Sequence, residues 1–535
     1  MRRSLDGERF DVIVIGGGIN GVAIARECAR GGHRVLLVEQ HDFASGTTSR
    51  STRIIHGGLR YLEYGELGLV KESLRERERL RSERPHLVRP LKFLLALPAG
   101  GNHSALAVRA GLWLYASLSA GRRSGLNGEL RQLESLLDQD QRWSVFHYDD
   151  AQCEFPERLV AEWLREASAA GAEARNYTRV LEIDIRHGRA LGVRARDLLD
   201  GSEFGVSARW VVNATGPWAD RVCADSGVHT QSQLIAGVRG SHLVVAAFPG
   251  APRCAVYTEA VDGRPIFLVP WNGQILVGTT EVHDAGDPAA VQPDEAEILY
   301  LFESVRKLFP KAQLSWDDVL AGFAGVRPLP YSPDLRPSAV TRRHFLHDHS
   351  QEGAAGMISV LGGKLTTAAS LARECARKLG LQTEDSTLEV GPSAEQVEFA
   401  LAGWSRALAE RARISEASAR AMAEWHGAGA LKIAQAAAGD ERLRQRVCAH
   451  SDHVLAEVVA AVRCERAVTL ADMLLRRVPV ALGACWSEEC AQTAAQRIGA
   501  VLGWDAIRIG REREAFEEER ARFLRRVEQP AMSIR

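Results

Sequence analysis

At 535 residues the chain exceeds one ordinary core and points to roughly three or four domains, and 46% hydrophobic with 25% charged residues suits soluble protein that buries a large interior. With 67 basic against 68 acidic residues, no global field recruits nucleic acid or an anionic membrane, so any anion site has to be built locally. No apolar run approaches the roughly 20 residues that span a bilayer, and nine scattered cysteines without a CxxC pair read as reduced, mostly buried thiols of a cytosolic chain rather than as metal ligands.

The N-terminus, Met1 to Arg9, is polar and reads as no secretory signal. The first motif is Asp11 to Gln40: an apolar run from Val12 to Ile15, the glycines Gly16, Gly17, Gly18 and Gly21, a helical apolar spacing, and a second apolar run from Val35 to Val38 ending in Glu39. This is a βαβ unit. Gly16 permits the turn, Gly18 lets a pyrophosphate approach the backbone, and Gly21 lets helix and strand pack closely, while Glu39 can accept from ribose hydroxyls. The order predicts an adenosine dinucleotide with an unphosphorylated ribose.

Further along, RIIHGGLRYLEYGE (Arg53 to Glu66) places two glycines between His56 and Arg60, where backbone comes close to something flat or bulky. Gly65 to Arg84 reads as a helix with Leu67, Val70 and Leu74 on one face and its many charges on a solvated surface. Ser104 to Ala120 has two readings: a buried helix, which is favoured, or one in a membrane interface, with Trp113 and Tyr115 near headgroups and Arg109, Arg122 and Arg123 on phosphates.

Pro156 to Ala170 is an amphipathic helix, followed by strands at Arg179–Arg186, Ala190–Ala195 and Ser207–Val212, the last running into NATGPW. From Leu234 to Thr280 strands alternate with turns, which predicts an inserted antiparallel sheet carrying Arg239 and His242 on or beside its strands. Glu295–Phe309 is a helix and Val319–Leu329 a strand whose end carries Arg327-Pro328. Met357–Leu361 then meets Gly362-Gly363-Lys364 and a helix opened by Thr366, a second glycine turn suited to negative charge. Beyond about Pro392 the signals are helical.

Taken together, Gly16 to Gly21, IHGGLRYLE, NATGPW, GSHLVV, VPW, GVRPL and GGKLTT resemble, in order, the FAD-dependent glycerol-3-phosphate dehydrogenases. The resemblance implies an α/β fold: a Rossmann-like, p-hydroxybenzoate-hydroxylase-like FAD domain (1–80, 151–230, 341–391), an antiparallel substrate domain (231–340) joined by a cap segment (81–150), and a helical C-terminal domain (392–535). It implies oxidation of the small phosphorylated alcohol sn-glycerol 3-phosphate to dihydroxyacetone phosphate. Electrons would pass to membrane quinone from a peripheral, often dimeric enzyme on the cytoplasmic face of the inner membrane. Carried over by motif, Arg60, Tyr61, His242, Arg327, Lys364 and Thr366 line the substrate pocket, and Gly16, Gly18, Gly21, Glu39, Ala214, Gly216, Gly362 and Gly363 approach FAD.

Those residue types suit the chemistry. A phosphate dianion leaving water needs cations, and the Arg60 and Arg327 forks with Lys364 supply them. Alcohol oxidation needs a proton acceptor as hydride passes to the flavin, with His242 preferred and Lys364 or a water positioned by Arg327 as alternatives. Two departures stand out: GTTE, with Glu281 where the family commonly has aspartate, and no cysteine-rich extension of the anaerobic type. The competing readings are an oxygen-using glycerol-3-phosphate oxidase, an amine or amino-acid oxidase, and a flavin-bound interaction protein without turnover.

Overall fold

The apolar run at Val12–Ile15 lacks polar alternation because it is covered on both faces. The computed structural model, which describes residues 2–98, 104–119, 128–336, 339–383 and 390–527, places it in the middle of a sheet. Strand Arg9–Ile15 pairs in parallel with Val35–Val38 on one side and Glu203–Asn213 on the other, Val12 facing both Val35 and Trp210. The sheet continues outward through Met357–Leu361 to the antiparallel edge Phe345–Asp348, and on the other side to Glu173–Arg175; the hairpin Thr178–Arg186 and Arg189–Asp197 brings it to eight strands. Helix Ile19–Arg30 packs against Pro156–Ala169 and Ala368–Lys378, with Ile24, Trp163 and Leu371 in one core.

The second sheet has nine strands, in the order Val282–His283, Ile235–Val245, Gln274–Gly278, Pro265–Trp271, Ala255–Glu259, Val88–Pro98, Trp143–Cys153 and Ile54–Ile55, with Val319–Pro330 also pairing with Ile235–Val245. Val88–Pro98 and Trp143–Cys153 pair antiparallel over eleven residues each, and the former joins Ala255–Glu259 in parallel. The run LKFLLALP carries no β-branched residue, so periodicity alone does not mark it as a strand.

Two expectations fail here. In helix Leu67–Glu83 the charges do not form a solvated face: Glu76, Arg77 and Glu78 are buried, and Arg77 reaches Asp150 at 2.5 Å. Asp150 also accepts from the Tyr115 hydroxyl at 2.8 Å, so this acid, contributed by a strand some 70 residues away, turns the helix charges inward. Leu67 is 50% exposed, leaving Val70 and Leu74 as the inward pair. Helix Ala105–Leu118 is not a buried helix. Only Tyr115 is buried along it, while Leu106 is 77% and Trp113 65% exposed. Arg122 and Arg123 lie outside the described residues. Among the described residues no helix is long and apolar enough to cross a membrane.

The C-terminal helices cover the back of the second sheet: Phe93, Val244, Trp271 and Phe323 share a core with Leu470, Leu474, Phe516 and Phe523. Buried charge fixes the same segment to the first domain. Asp42 takes bidentate hydrogen bonds from Arg477 (2.7 and 2.8 Å) and one from Arg476 (2.5 Å). Burial opposes that carboxylate, but the two guanidiniums hold its pKa at about 2. Arg158, fully buried, reaches Glu465 at 2.7 Å and the Arg477 carbonyl at 2.9 Å. Truncating either side would strand an unpaired buried charge. All nine cysteines are free thiols, seven of them buried.

Candidate active site

One cavity of about 500 Å³ runs from the first glycine turn to the second sheet. At its first end, glycine is dictated by close approach. A Cβ on Gly21 would stand 1.9 Å from the Gly16 carbonyl oxygen, and one on Gly16 would stand 2.6 Å from that of Ala214. Gly18 has no such neighbour inside 3.4 Å, so its missing side chain leaves the cavity wall open. The turn is held by Thr48, whose hydroxyl accepts from Ile19 N at 3.0 Å, and the buried Oδ1 of Asn20 has no hydrogen-bond partner. Glu39 stands where the second strand ends, its carboxylate accepting from Gly17 N (2.6 Å) and His41 N (2.9 Å). Each carboxylate oxygen retains a lone pair for a ribose hydroxyl.

Ile15, Gly16, Gly18, Glu39, Ala214, Gly216, Gly362 and Gly363 all line the cavity; Gly21 does not, being spent on the helix contact. An elongated cradle with glycine walls, a helix start, an orphaned amide oxygen and a fixed acid fits a dinucleotide such as FAD.

At the other end the second sheet sets the side chains. His242 faces Gly278 across one strand pair and Phe323 across the other. A Cβ at Gly278 would meet the imidazole Cδ2 at 2.3 Å, so glycine makes room for the ring, and Phe323 stacks on it at 4.9 Å. Its Nε2 lies 2.9 Å from Thr52 Oγ1, whereas Nδ1 is buried without a partner. Burial, with the Arg327 and Arg53 guanidiniums, lowers the His242 pKa to about 3, so the ring is neutral.

Arg327 donates to Thr279 Oγ1 at 2.8 Å, and Gly240 clears its path, since a Cβ there would lie 2.4 Å from the guanidinium. Burial, then Arg342, lowers its pKa to about 10, leaving it charged at neutral pH. The second glycine turn meets the strand Val319–Pro330 here: Gly362 N donates to the Pro328 carbonyl at 2.7 Å, which ties Arg327 to Lys364. The Lys364 ammonium is buried, lies 4.4 Å over the Tyr61 ring, and has no hydrogen-bond partner. Burial lowers its pKa to about 7. Thr366, also in the wall, accepts from His56 N at 3.2 Å.

Tyr61, His242, Arg327, Lys364 and Thr366 line this end of the cavity; Arg60 stands outside the wall, 3.7 Å from Glu281. Arg342 lines the cavity instead and donates to the same Glu281 carboxylate at 2.7 Å, so the glutamate that departs from the family's aspartate serves two arginines. Arg342 sits in TRRH, which carries no motif. His56 was visible beside its glycine pair without a role; it too lines the cavity, and burial, then Lys364, lowers its pKa to about 3.

Comparison with known proteins agrees with this geometry. The family model for FAD dependent oxidoreductases matches residues 11–369, and that for the C-terminal domain of alpha-glycerophosphate oxidase matches residues 393–509. A glycerol-3-phosphate dehydrogenase of Synechocystis sp. is 38% identical over 498 residues, covering 88% of this chain and 89% of that one. A D-erythritol 1-phosphate dehydrogenase of Brucella abortus is 38% identical over 379 residues, 70% of this chain and 74% of its own. In fold, the chain is similar to the glycerol-3-phosphate dehydrogenase of Bacillus halodurans complexed with FAD, with a TM-score of 0.75 at 24% identity over 98% of this chain and 97% of the other. The chain belongs to the FAD-dependent oxidoreductases and, within them, to the glycerol-3-phosphate dehydrogenase family, with FAD as its cofactor.

Proposed function

We propose that this chain oxidises sn-glycerol 3-phosphate to dihydroxyacetone phosphate, and that the observation carrying this reading is the buried, hydrogen-bond-free Lys364 ammonium beside Arg327 and Arg342 in one cavity. Cations gathered out of water favour an anion, and the arginine forks suit phosphate oxygens. FAD, when bound, supplies the hydride acceptor. Arg327, Lys364 and Arg342 hold the phosphate, Tyr61 floors the ammonium, and His242 takes the hydroxyl proton. With Nε2–H donating to Thr52, Nδ1 keeps the lone pair that accepts it. A bound dianion offsets the Arg327 field that lowers the His242 pKa, and so makes the ring more basic when substrate is present.

In this reading the FAD unit comprises residues 1–80, 151–230 and 341–391, and the substrate unit residues 231–340 with the segment 81–150. Electron delivery to membrane quinone, a homodimer, and attachment to the cytoplasmic face of the inner membrane are further parts of the proposal. The exposed apolar side chains of Leu106 and Trp113 support a peripheral membrane contact. The second reading, oxygen as acceptor, takes its support from the alpha-glycerophosphate oxidase match of the C-terminal helices.

Anaerobic addition of glycerol 3-phosphate is expected to bleach the flavin band, and a quinone analogue to restore it faster than oxygen. Bleaching by D-erythritol 1-phosphate alone would move the substrate assignment; fast peroxide formation without quinone reduction would select the oxidase.

A pH effect follows from Lys364. Its depressed pKa, about 7 in the free protein, means the ammonium is present below that value and lost above it. Phosphate favours the charged form, so KM is expected to rise as pH increases through 7, by up to about tenfold per unit. Lys364→Met removes that slope if Lys364 holds the phosphate; an unchanged slope would remove it from the pocket.

A further inference from the structure

A second cluster of ligand-type side chains lies away from the cavity, at the outer edge of the first sheet. Strand Phe345–Asp348 ends in a 3-10 turn, His349–Glu352, and this places His347, His349 and Glu352 together, their ligand atoms all within 4.8 Å of one another. None of the three lines the FAD cavity. The two imidazole rings meet edge to face at 4.6 Å, and each oxygen of Glu352 faces a different ring: Oε1 is 3.2 Å from His347 Nε2, and Oε2 is 3.5 Å from His349 Nδ1.

The far side of His349 explains how that ring is set. Its Nε2 lies 2.7 Å from Ser359 Oγ, and Ser359 Oγ also accepts from the Asn213 amide at 3.1 Å. With one lone pair taken by that amide, the hydroxyl has the other for His349 Nε2–H. The Nδ1 lone pair then points at Glu352. His349 is fully buried, and neither its Nδ1 nor Glu352 Oε2 has a hydrogen-bond partner. Two sets of lone pairs facing each other repel unless something positive stands between them. The other tautomer would aim Nδ1–H at Oε2 from a separation at which no hydrogen bond forms.

We propose that His347 Nε2, His349 Nδ1 and the Glu352 carboxylate bind one divalent transition-metal ion of the zinc class. A tetrahedral ion with bonds of about 2.05 Å has ligands about 3.3 Å apart. Each ring nitrogen already stands near that distance from one oxygen of Glu352, 3.2 Å to Oε1 and 3.5 Å to Oε2. With one donor atom from each residue the three lie within 4.8 Å, so a small turn of the carboxylate brings one oxygen to both rings. Two imidazoles select against magnesium and calcium. His347 keeps 32% of its side chain exposed, so the fourth position opens to solvent water. The ion clamps the turn onto the sheet edge, with Ser359 and Asn213 orienting the buried ligand. It takes no part in alcohol oxidation.

The test uses the FAD-loaded full chain, stripped with chelator and desalted. Titration calorimetry with Zn²⁺ and elemental analysis are expected to give one ion per chain and a higher thermal unfolding midpoint. His347→Ala, at the partly exposed ligand, and Glu352→Gln are each expected to weaken binding at least about 100-fold. Both should abolish the midpoint shift and leave glycerol phosphate oxidation unchanged. Absence of stoichiometric binding, equal binding by the variants, or equal occupancy by Mg²⁺ would overturn the proposal; equal binding by the variants would put the metal elsewhere, for instance where His450 Nδ1 lies 3.2 Å from Cys490 Sγ.

Discussion

Replacing Arg327 by alanine is expected to lower kcat/KM for glycerol 3-phosphate by about 10²- to 10³-fold while the protein still purifies with FAD. Arg327 reaches the cavity from the strand Val319–Pro330, and its guanidinium is oriented by Thr279 and by room left at Gly240. The walls of the FAD cradle come from other segments, the turn at Gly16 and Gly18, Glu39 and Ala214, so removing this side chain does not open the cradle. Its charge persists at neutral pH, since the pKa remains at about 10. Losing a desolvated charge-assisted contact with phosphate costs about 3–4 kcal/mol, hence the predicted factor. Arg327→Lys restores charge without the fork and should recover only part of it. Unchanged steady-state kinetics in the alanine variant would place phosphate elsewhere.

The local units were legible in the sequence because their information is local. Strand, glycine turn, helix, strand and terminal acid follow one another within Asp11 to Gln40, and the paired strands carry that order into space. The inserted sheet was legible through its turns, although Val88–Pro98 and Trp143–Cys153 were not: the unbranched apolar run LKFLLALP does not choose between helix and strand, and WSVFHYDDAQC carries too many polar residues to show a buried strand.

Long-range pairing is the harder part. Nothing near Arg77 announces Asp150, and nothing in TRRH announces that Arg342 shares Glu281 with Arg60. For the same reason the helix charges of Leu67–Glu83 looked solvated, and the sequence could not say that Arg60 stands behind the cavity wall while Arg342 enters it. The exposed apolar side chains of Ala105–Leu118 were ambiguous from the start, because a buried and an interfacial helix share one composition.

The other large effect concerns proton transfer. His242→Asn is expected to slow anaerobic flavin reduction by glycerol 3-phosphate about 10²- to 10⁴-fold, with substrate affinity changed only a few-fold. Three features of the ring argue for it: a neutral state enforced by burial and Arg327, one nitrogen held by Thr52, and the other buried without a partner. Because substrate binding raises the pKa from about 3, the bound enzyme should lose reduction rate as pH falls below the raised value, and His242→Asn should lack that acidic limb. His56 is the rival: it lines the same cavity and is likewise neutral, with a pKa lowered to about 3. Its backbone N–H is tied to Thr366, and the ring stands 6.3 Å from Tyr61, on the Lys364 side of the cavity. The paired experiment therefore decides. If His56→Asn abolishes reduction while His242→Asn reduces flavin at the normal rate, the proton goes to His56 and the role of His242 is confined to shaping the wall against Phe323.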